Sequence, residues 1–142
     1  MYADTNIYCR PFDERLNQRI ELEAEACSDI FLAIERGAHE LIGSDILLYK
    51  FKGVTSVKRL HVSKFLRLCS AMIPLTEEVE SKAAEYAKKT GLSDRDALHL
   101  ASAVIGKADI VLTCDDRFLT KAGKLSLQGI TVENPLLFSN KL

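Results

Sequence analysis

Short strand-forming runs alternate with longer stretches of helical periodicity along the whole chain, and this alternation constrains its fold more than any other feature. Asp109-Ile110-Val111-Leu112-Thr113 is the clearest strand pattern. Met1-Tyr2-Ala3-Asp4-Thr5-Asn6 reads as a short strand ending at an Asp, before a loop punctuated by Pro11 and Asp13. His39 to Gly43, Met72 to Leu75 and Gly129 to Val132 supply weaker strand signals. Between them, Ile20, Leu22, Ala24, Cys27, Ile30, Phe31 and Ile34 recur mostly at spacings of three and four, ending at Gly37. Ser44 with Asp45 caps a helix through Ile46, Leu47, Leu48 and Phe51 that Gly53 breaks. A basic, mostly helical stretch runs from about Ser56 to Cys69. Thr76, with acids in the turn behind it, opens a helix to Thr90 before Gly91. Ser93 caps a strongly apolar helix, and Asp115-Asp116-Arg117-Phe118 opens a short one. Strands alternating with helices predict an α/β fold, a central, mainly parallel sheet covered on both faces in an α/β/α sandwich. A chain of 142 residues is long enough for one real core and too short for two, so 1–142 is expected to be one domain.

The formal net charge is −1, so no global charge draws the chain to nucleic acid or membrane. The sign is uneven, however. Nine acids face three arginines between Phe12 and Asp45, whereas Ile46 to Thr76 holds six Lys/Arg and no acid. The basic stretch, Lys50 to Arg67, fits either a phosphate backbone or an acidic protein surface, or is simply solvated. The acidic helix from Glu14 to Glu35 fits a solvated outer face. Cys9, Cys27, Cys69 and Cys114 are far apart and form no C-x-x-C, which argues for buried or half-buried thiols of a reducing compartment. No apolar run approaches the roughly 20 residues of a membrane helix. No basic-then-apolar signal opens the sequence, and the expected location is the cytoplasm.

Ligands of open parallel sheets bind outside the carboxyl ends of the strands. Two predicted strands end in acids there, Asp4 and Asp115. A third acid, Asp96, lies in the first turn of the apolar helix, where an uncompensated charge is costly. Gathered carboxylates repel one another unless a divalent cation neutralises them, and hard oxygen donors suit Mg²⁺ or Mn²⁺. Each acid also has a plain structural role open to it, Asp4 in a turn, Asp96 in a first turn, Asp115 or Asp116 as a helix cap.

Three blocks carry a resemblance. They are Tyr2-Ala3-Asp4-Thr5-Asn6 with Cys9-Arg10-Pro11-Phe12-Asp13, then Leu92-Ser93-Asp94-Arg95-Asp96-Ala97-Leu98-His99-Leu100-Ala101-Ser102-Ala103, then Ala108-Asp109-Ile110-Val111-Leu112-Thr113-Cys114-Asp115-Asp116-Arg117-Phe118-Leu119. In this order, over nearly the whole chain, they resemble the PIN-domain family. The resemblance implies a metal-dependent endoribonuclease, among them VapC-like toxins restrained by an antitoxin protein. It implies RNA as substrate, Mg²⁺ or Mn²⁺ as cofactor and a homodimer as assembly. It carries over an acidic site of Asp4, Asp96 and Asp115, which hold the metal. Thr113 is carried over as a hydroxyl that orients a carboxylate, Asp116 as an additional acid, and Asn6 and Ser44 as side chains that position a carboxylate or water.

The chain departs from the family at one position. PIN proteins commonly supply a further Glu on the helix after the second strand, and here Lys50 stands in its place. Two functions follow from different classes, a nuclease holding one metal, or a catalytically silent PIN domain that binds RNA or a protein. A phosphate-handling domain of another kind lacks support, because no Gly-rich phosphate loop is present. His99, three residues after Asp96, shares its helix face and is expected to be hydrogen-bonded within the packing rather than to touch substrate.

Overall fold

A computed structural model of the chain describes residues 1–52 and 56–142. The expected break at Gly53 lies outside the described residues. Five strands, β1 (Tyr2–Ala3), β2 (Leu41–Ser44), β3 (Cys69–Ile73), β4 (Ile110–Leu112) and β5 (Thr131–Glu133), form one sheet in the order β3-β2-β1-β4-β5. Every neighbouring pair is parallel, with Tyr2 level with both Ile42 and Val111, and Leu112 level with Glu133. The helices that join parallel strands pack on the sheet, which makes the predicted α/β/α sandwich. Strand order runs outward from β1 through β2 to β3, then resumes on the other side of β1 with β4 and β5. The switch point, where ligands of such sheets bind, lies beside the carboxyl ends of β1 and β4.

Local chemistry accounts for the elements. Helix α5 (Glu77–Thr90) starts where Thr76 Oγ1 accepts from the Val79 amide, carries Glu77, Glu78 and Glu80 at its positive end, and buries Val79, Ala83, Tyr86 and Thr90 on one stripe. It stops at Gly91, whose φ of 78° is the left-handed cap that glycine adopts without cost. Helix α6 (Asp94–Ile105) is capped by Ser93 and buries Ala97, Leu100, Ala101 and Ala103. Its end at Gly106 lies hard against Ile42 and Ile73, where a Cβ would meet the isoleucine methyls at 2.6 and 2.9 Å. Helix α2 (Gln18–Glu35) buries Ala24, Cys27, Ile30, Phe31 and Ile34, and Phe31 stacks on Phe65 with ring centroids 3.9 Å apart. Phe65 belongs to α4 (Ser56–Leu66).

Boundaries moved where propensity was weak. The segment after Asp4 is not loop but α1 (Thr5–Cys9), followed by a 3₁₀ turn over Arg10–Phe12. β3 begins at Cys69 rather than Met72, so the basic helix ends at Leu66; the strand lies at the sheet edge, half exposed, and its Ser and Ala give little strand signal. A short helix over Pro135–Ser139 follows β5. The acidic face of α2 is solvated except at Glu23, which is buried and held by Arg10 Nε at 3.5 Å, Arg19 Nε at 3.4 Å and Asn134 Nδ2 at 2.7 Å. All four cysteines are free thiols, Cys27 and Cys114 buried, Cys9 and Cys69 half-buried. No helix among the described residues is long and apolar enough to cross a membrane.

Candidate active site

Asp4 follows β1 at the switch point, its backbone N–H donating to the Leu112 carbonyl at 2.9 Å across to β4. It is 5% exposed, and in each of its side-chain hydrogen bonds the carboxylate accepts. Oδ1 accepts from the Thr5 amide at 2.7 Å, which caps α1. Oδ2 accepts from Thr113 Oγ1 at 2.9 Å and from Asn6 Nδ2 at 3.1 Å. The same Thr113 oxygen accepts from the Asp115 amide at 3.1 Å, and Asn6 Oδ1 accepts from the Cys114 amide at 3.0 Å. Two polar side chains therefore tie the end of β1 to the loop that follows β4.

Asp115 is the N-cap of α7 (Asp116–Ala122), with Oδ1 accepting from the Arg117 and Phe118 amides at 2.9 and 3.4 Å. Asp96 stands half-buried in the first turn of α6, its amide bonded to the Ser93 hydroxyl. The charge of Asp115 acts on Asp4, and the charges of both act on Asp96. Burial pushes Asp4 above its ordinary value, and the charge of Asp115 adds to this against the hydrogen bonds from Thr113, Thr5 and Asn6. Burial likewise raises Asp96, and the charges of Asp4 and then Asp115 raise it further.

Asp4, Asp96 and Asp115 offer only hard oxygen donors, and their mutual repulsion is what a divalent cation relieves, so the donor set fits Mg²⁺ or Mn²⁺. Among the described residues, no three His, Cys, Asp or Glu side chains are already gathered as a metal-binding group. Asp4 and Asp115 each commit one carboxylate oxygen to a helix cap.

The other predicted site residues separate. Asn6 and Thr113 are bonded directly to Asp4. Ser44 occupies the N-cap position of α3 (Asp45–Phe51) without capping it, and its buried hydroxyl bonds to Tyr2 Oη at 2.6 Å rather than to a carboxylate or an exposed water site. Asp116 does not join the acidic group. Arg19 grips it with two bonds of 2.8 Å and holds its carboxyl below the usual range. Lys50 is exposed in the last turn of α3 and forms no ion pair with Asp4 or Asp96 among the described residues, yet its charge acts on His99 and Cys9.

His99 is wholly buried, and burial pushes it down to about 4, with Arg95 and Lys50 adding to the fall against the pull of Asp96. Its Nδ1 lies 2.6 Å from Tyr2 Oη, and its Nε2 lies 3.4 Å from Thr5 Oγ1 and 3.6 Å from Asp4 Oδ1. Sequence reasoning passed over Tyr2. The available signal was a phenol in a strand predicted to be buried on both faces, where its hydroxyl must find a partner.

An all-parallel five-stranded α/β/α sandwich with carboxylates beside its switch point defines a small α/β protein. A model of the PIN domain matches residues 1–124, and the chain belongs to the PIN-domain family. Among solved structures, the crystal structure of FitAcB from Neisseria gonorrhoeae matches with a TM-score of 0.60 at 21% identity, over 94% of this chain and 96% of that one, which shows the shared fold. No match is found among curated proteins.

Proposed function

We propose that residues 1–142 act as one PIN domain with metal-dependent endoribonuclease activity, Asp4, Asp96 and Asp115 holding Mg²⁺ or Mn²⁺. The observation that carries this reading is the clamp of Thr113 and Asn6, which ties Asp4 after β1 to the loop that leads from β4 to Asp115 at the switch point. A bound divalent ion supplies an activated water and braces a phosphate oxygen. The chain's own residues do the rest. Thr113 and Asn6 aim the Asp4 carboxylate and favour its ionised form against the effect of burial, and Asp115 stays fixed through its cap on α7. The half-exposed side of Asp96 leaves an approach for the substrate.

The proposal extends to setting: a cytoplasmic toxin of a toxin–antitoxin pair, homodimeric, with RNA as substrate and an antitoxin protein as partner. It is supported by family membership and by the basic surface of Lys52, Lys58, Arg59, Lys64 and Arg67, which suits either RNA or an acidic partner. A second reading, a silent PIN module that binds RNA or protein without cutting, is favoured by Lys50 in the place of the further acid. Mixed RNA incubated with the pure chain in Mn²⁺ or in EDTA separates the two. Cleavage in Mn²⁺ alone, lost in Asp96→Asn, supports the nuclease; intact RNA in both lanes with RNA retained on the protein supports the silent module.

A further inference from the structure

We propose that Tyr2 is a positioning residue of the acidic site: its hydroxyl fixes His99 in the tautomer whose Nε2–H faces Asp4. This rests on the reading of Asp4 as a metal ligand and extends it outward by two side chains.

The Tyr2 ring in β1 and the His99 ring in α6 are both wholly buried, with centroids 5.8 Å apart. The phenol oxygen has two partners at 2.6 Å, Ser44 Oγ and His99 Nδ1. A phenol carries one proton, so the directions of these two bonds are linked. In one arrangement Ser44 donates to Tyr2 and Tyr2 donates to His99 Nδ1. The ring's single proton then sits on Nε2 and faces the Asp4 carboxylate. In the other, Nδ1 donates to Tyr2, Tyr2 donates to Ser44, and the bare lone pair of Nε2 can accept only from the Thr5 hydroxyl at 3.4 Å while it faces Asp4 Oδ1 at 3.6 Å.

Electrostatics chooses between them. The first arrangement aims a positive N–H dipole at two oxygens, Thr5 Oγ1 and the negative Asp4 Oδ1, whereas the second lets Nε2 accept from the Thr5 hydroxyl but keeps its lone pair facing the carboxylate in an enclosed site of low dielectric, where such differences are large. At 3.6 Å the Nε2–H acts on Asp4 through its dipole and not as a full hydrogen bond. Ser44 is free to start the chain because its hydroxyl does not cap α3. Asp4 already accepts from Thr5, Asn6 and Thr113, and the imidazole N–H supports the ionised carboxylate from a further side. Outer groups of this kind hold a ligating carboxylate in its charged, oriented form.

Nitrogen-15 NMR of the His99 ring in the metal-free protein reads the tautomer directly. The wild type should show Nε2–H. Tyr2→Phe keeps the ring and its packing and should give a mixture of both tautomers. Calorimetric titration with Mn²⁺ then separates positioning from packing. Affinity should fall roughly tenfold in Tyr2→Phe and in His99→Leu, and return toward wild type in His99→Gln, whose amide presents an N–H in the place of Nε2. An Nδ1–H tautomer in the wild type overturns the relay, and equal Mn²⁺ affinity in wild type and Tyr2→Phe overturns the positioning role. A wild type that binds no Mn²⁺ overturns the metal reading, and the tautomer spectrum, which needs no metal, distinguishes that failure from failure of the relay.

Discussion

Asn6 Nδ2 lies 3.1 Å from Thr113 Oγ1, although the two residues are 107 positions apart and follow different strands. The same nitrogen donates to Asp4 Oδ2, and the Asn6 carbonyl accepts from the Cys114 amide. One side chain on the first turn after β1 thus sets the distance between the loops that carry Asp4 and Asp115. Asn6→Ala strands the Cys114 amide and removes one donor from Asp4. It should cost roughly 1–3 kcal/mol, the usual penalty for a buried group left unpaired. Urea unfolding at neutral pH measures it, and a midpoint equal to wild type would show that the clamp contributes nothing. Thr113→Ser, which keeps the hydroxyl, should lose less than Thr113→Val.

Asp96→Asn should abolish Mn²⁺-dependent cleavage and raise the melting temperature of the metal-free protein. The sign follows from the raised pKa values of Asp96 and Asp4. The folded chain keeps these protons to higher pH than the unfolded chain does. Stability therefore falls as pH rises through the folded-state values. Asn carries no such penalty. Because Asp96 is half-exposed and screened, the gain is modest, on the order of 2 °C at pH 7. It should shrink as pH drops below the ordinary carboxylate range. A large drop in melting temperature instead would assign Asp96 a structural role.

Residues with strong local chemistry were legible in the sequence. Thr76, Ser93 and Gly91 mark helix ends by caps that act within a few residues, and Ile110-Val111-Leu112 announces a buried strand by composition alone. Helix α1 was not legible, because its stabilisation comes from the Asp4 carboxylate, itself fixed by Thr113 far along the chain. β3 was placed late because an exposed edge strand needs no strong apolar pattern. Within the acidic group, strand ends identified Asp4 and Asp115. Which oxygen Asp4 commits to its cap, and the capture of Asp116 by Arg19, depend on contacts 97 or more positions away that no local pattern encodes.

His99 gives the protein a predictable acid weakness. Burial holds the folded-state ring near 4, whereas the unfolded ring takes its proton near the ordinary 6.5. Below that value the unfolded chain binds a proton that the folded chain refuses. Stability is lost as pH falls from about 6.5 toward 4, at up to about 1.4 kcal/mol per pH unit. The facing charges are Asp96 and Asp4, which favour the protonated ring, and Arg95 and Lys50, which oppose it. Asp4 and Asp96 titrate in both chains, so comparison with His99→Gln isolates the histidine. Urea unfolding at pH 7, 6 and 5 should show a shallower decline in His99→Gln. Parallel declines in the two proteins would mean that the ring titrates normally in the fold.

Lys50→Glu should tighten Mn²⁺ binding. Three carboxylates and one ammonium leave a local formal charge near −2, and the Glu variant brings it near −4, from the residues counted as Asp4, Asp96, Asp115 and position 50. If the ammonium stood about 4 Å from the cation in a half-shielded site, the repulsion would be about 4 kcal/mol. The structure argues for much less. Lys50 is exposed on the last turn of α3, and its charge is felt at His99 and Cys9 without an ion pair to the acids among the described residues. Solvent screening of that kind brings the interaction down to about 1 kcal/mol, or roughly fivefold in affinity. Titration calorimetry of both proteins at low ionic strength tests the figure, and the difference should narrow as salt is raised. RNA binding should move the opposite way if Lys50 meets a phosphate, since a lysine serves there as a point charge. Equal Mn²⁺ affinity with weakened RNA binding would assign Lys50 to the substrate, and tighter Mn²⁺ with unchanged RNA binding would assign it to the metal.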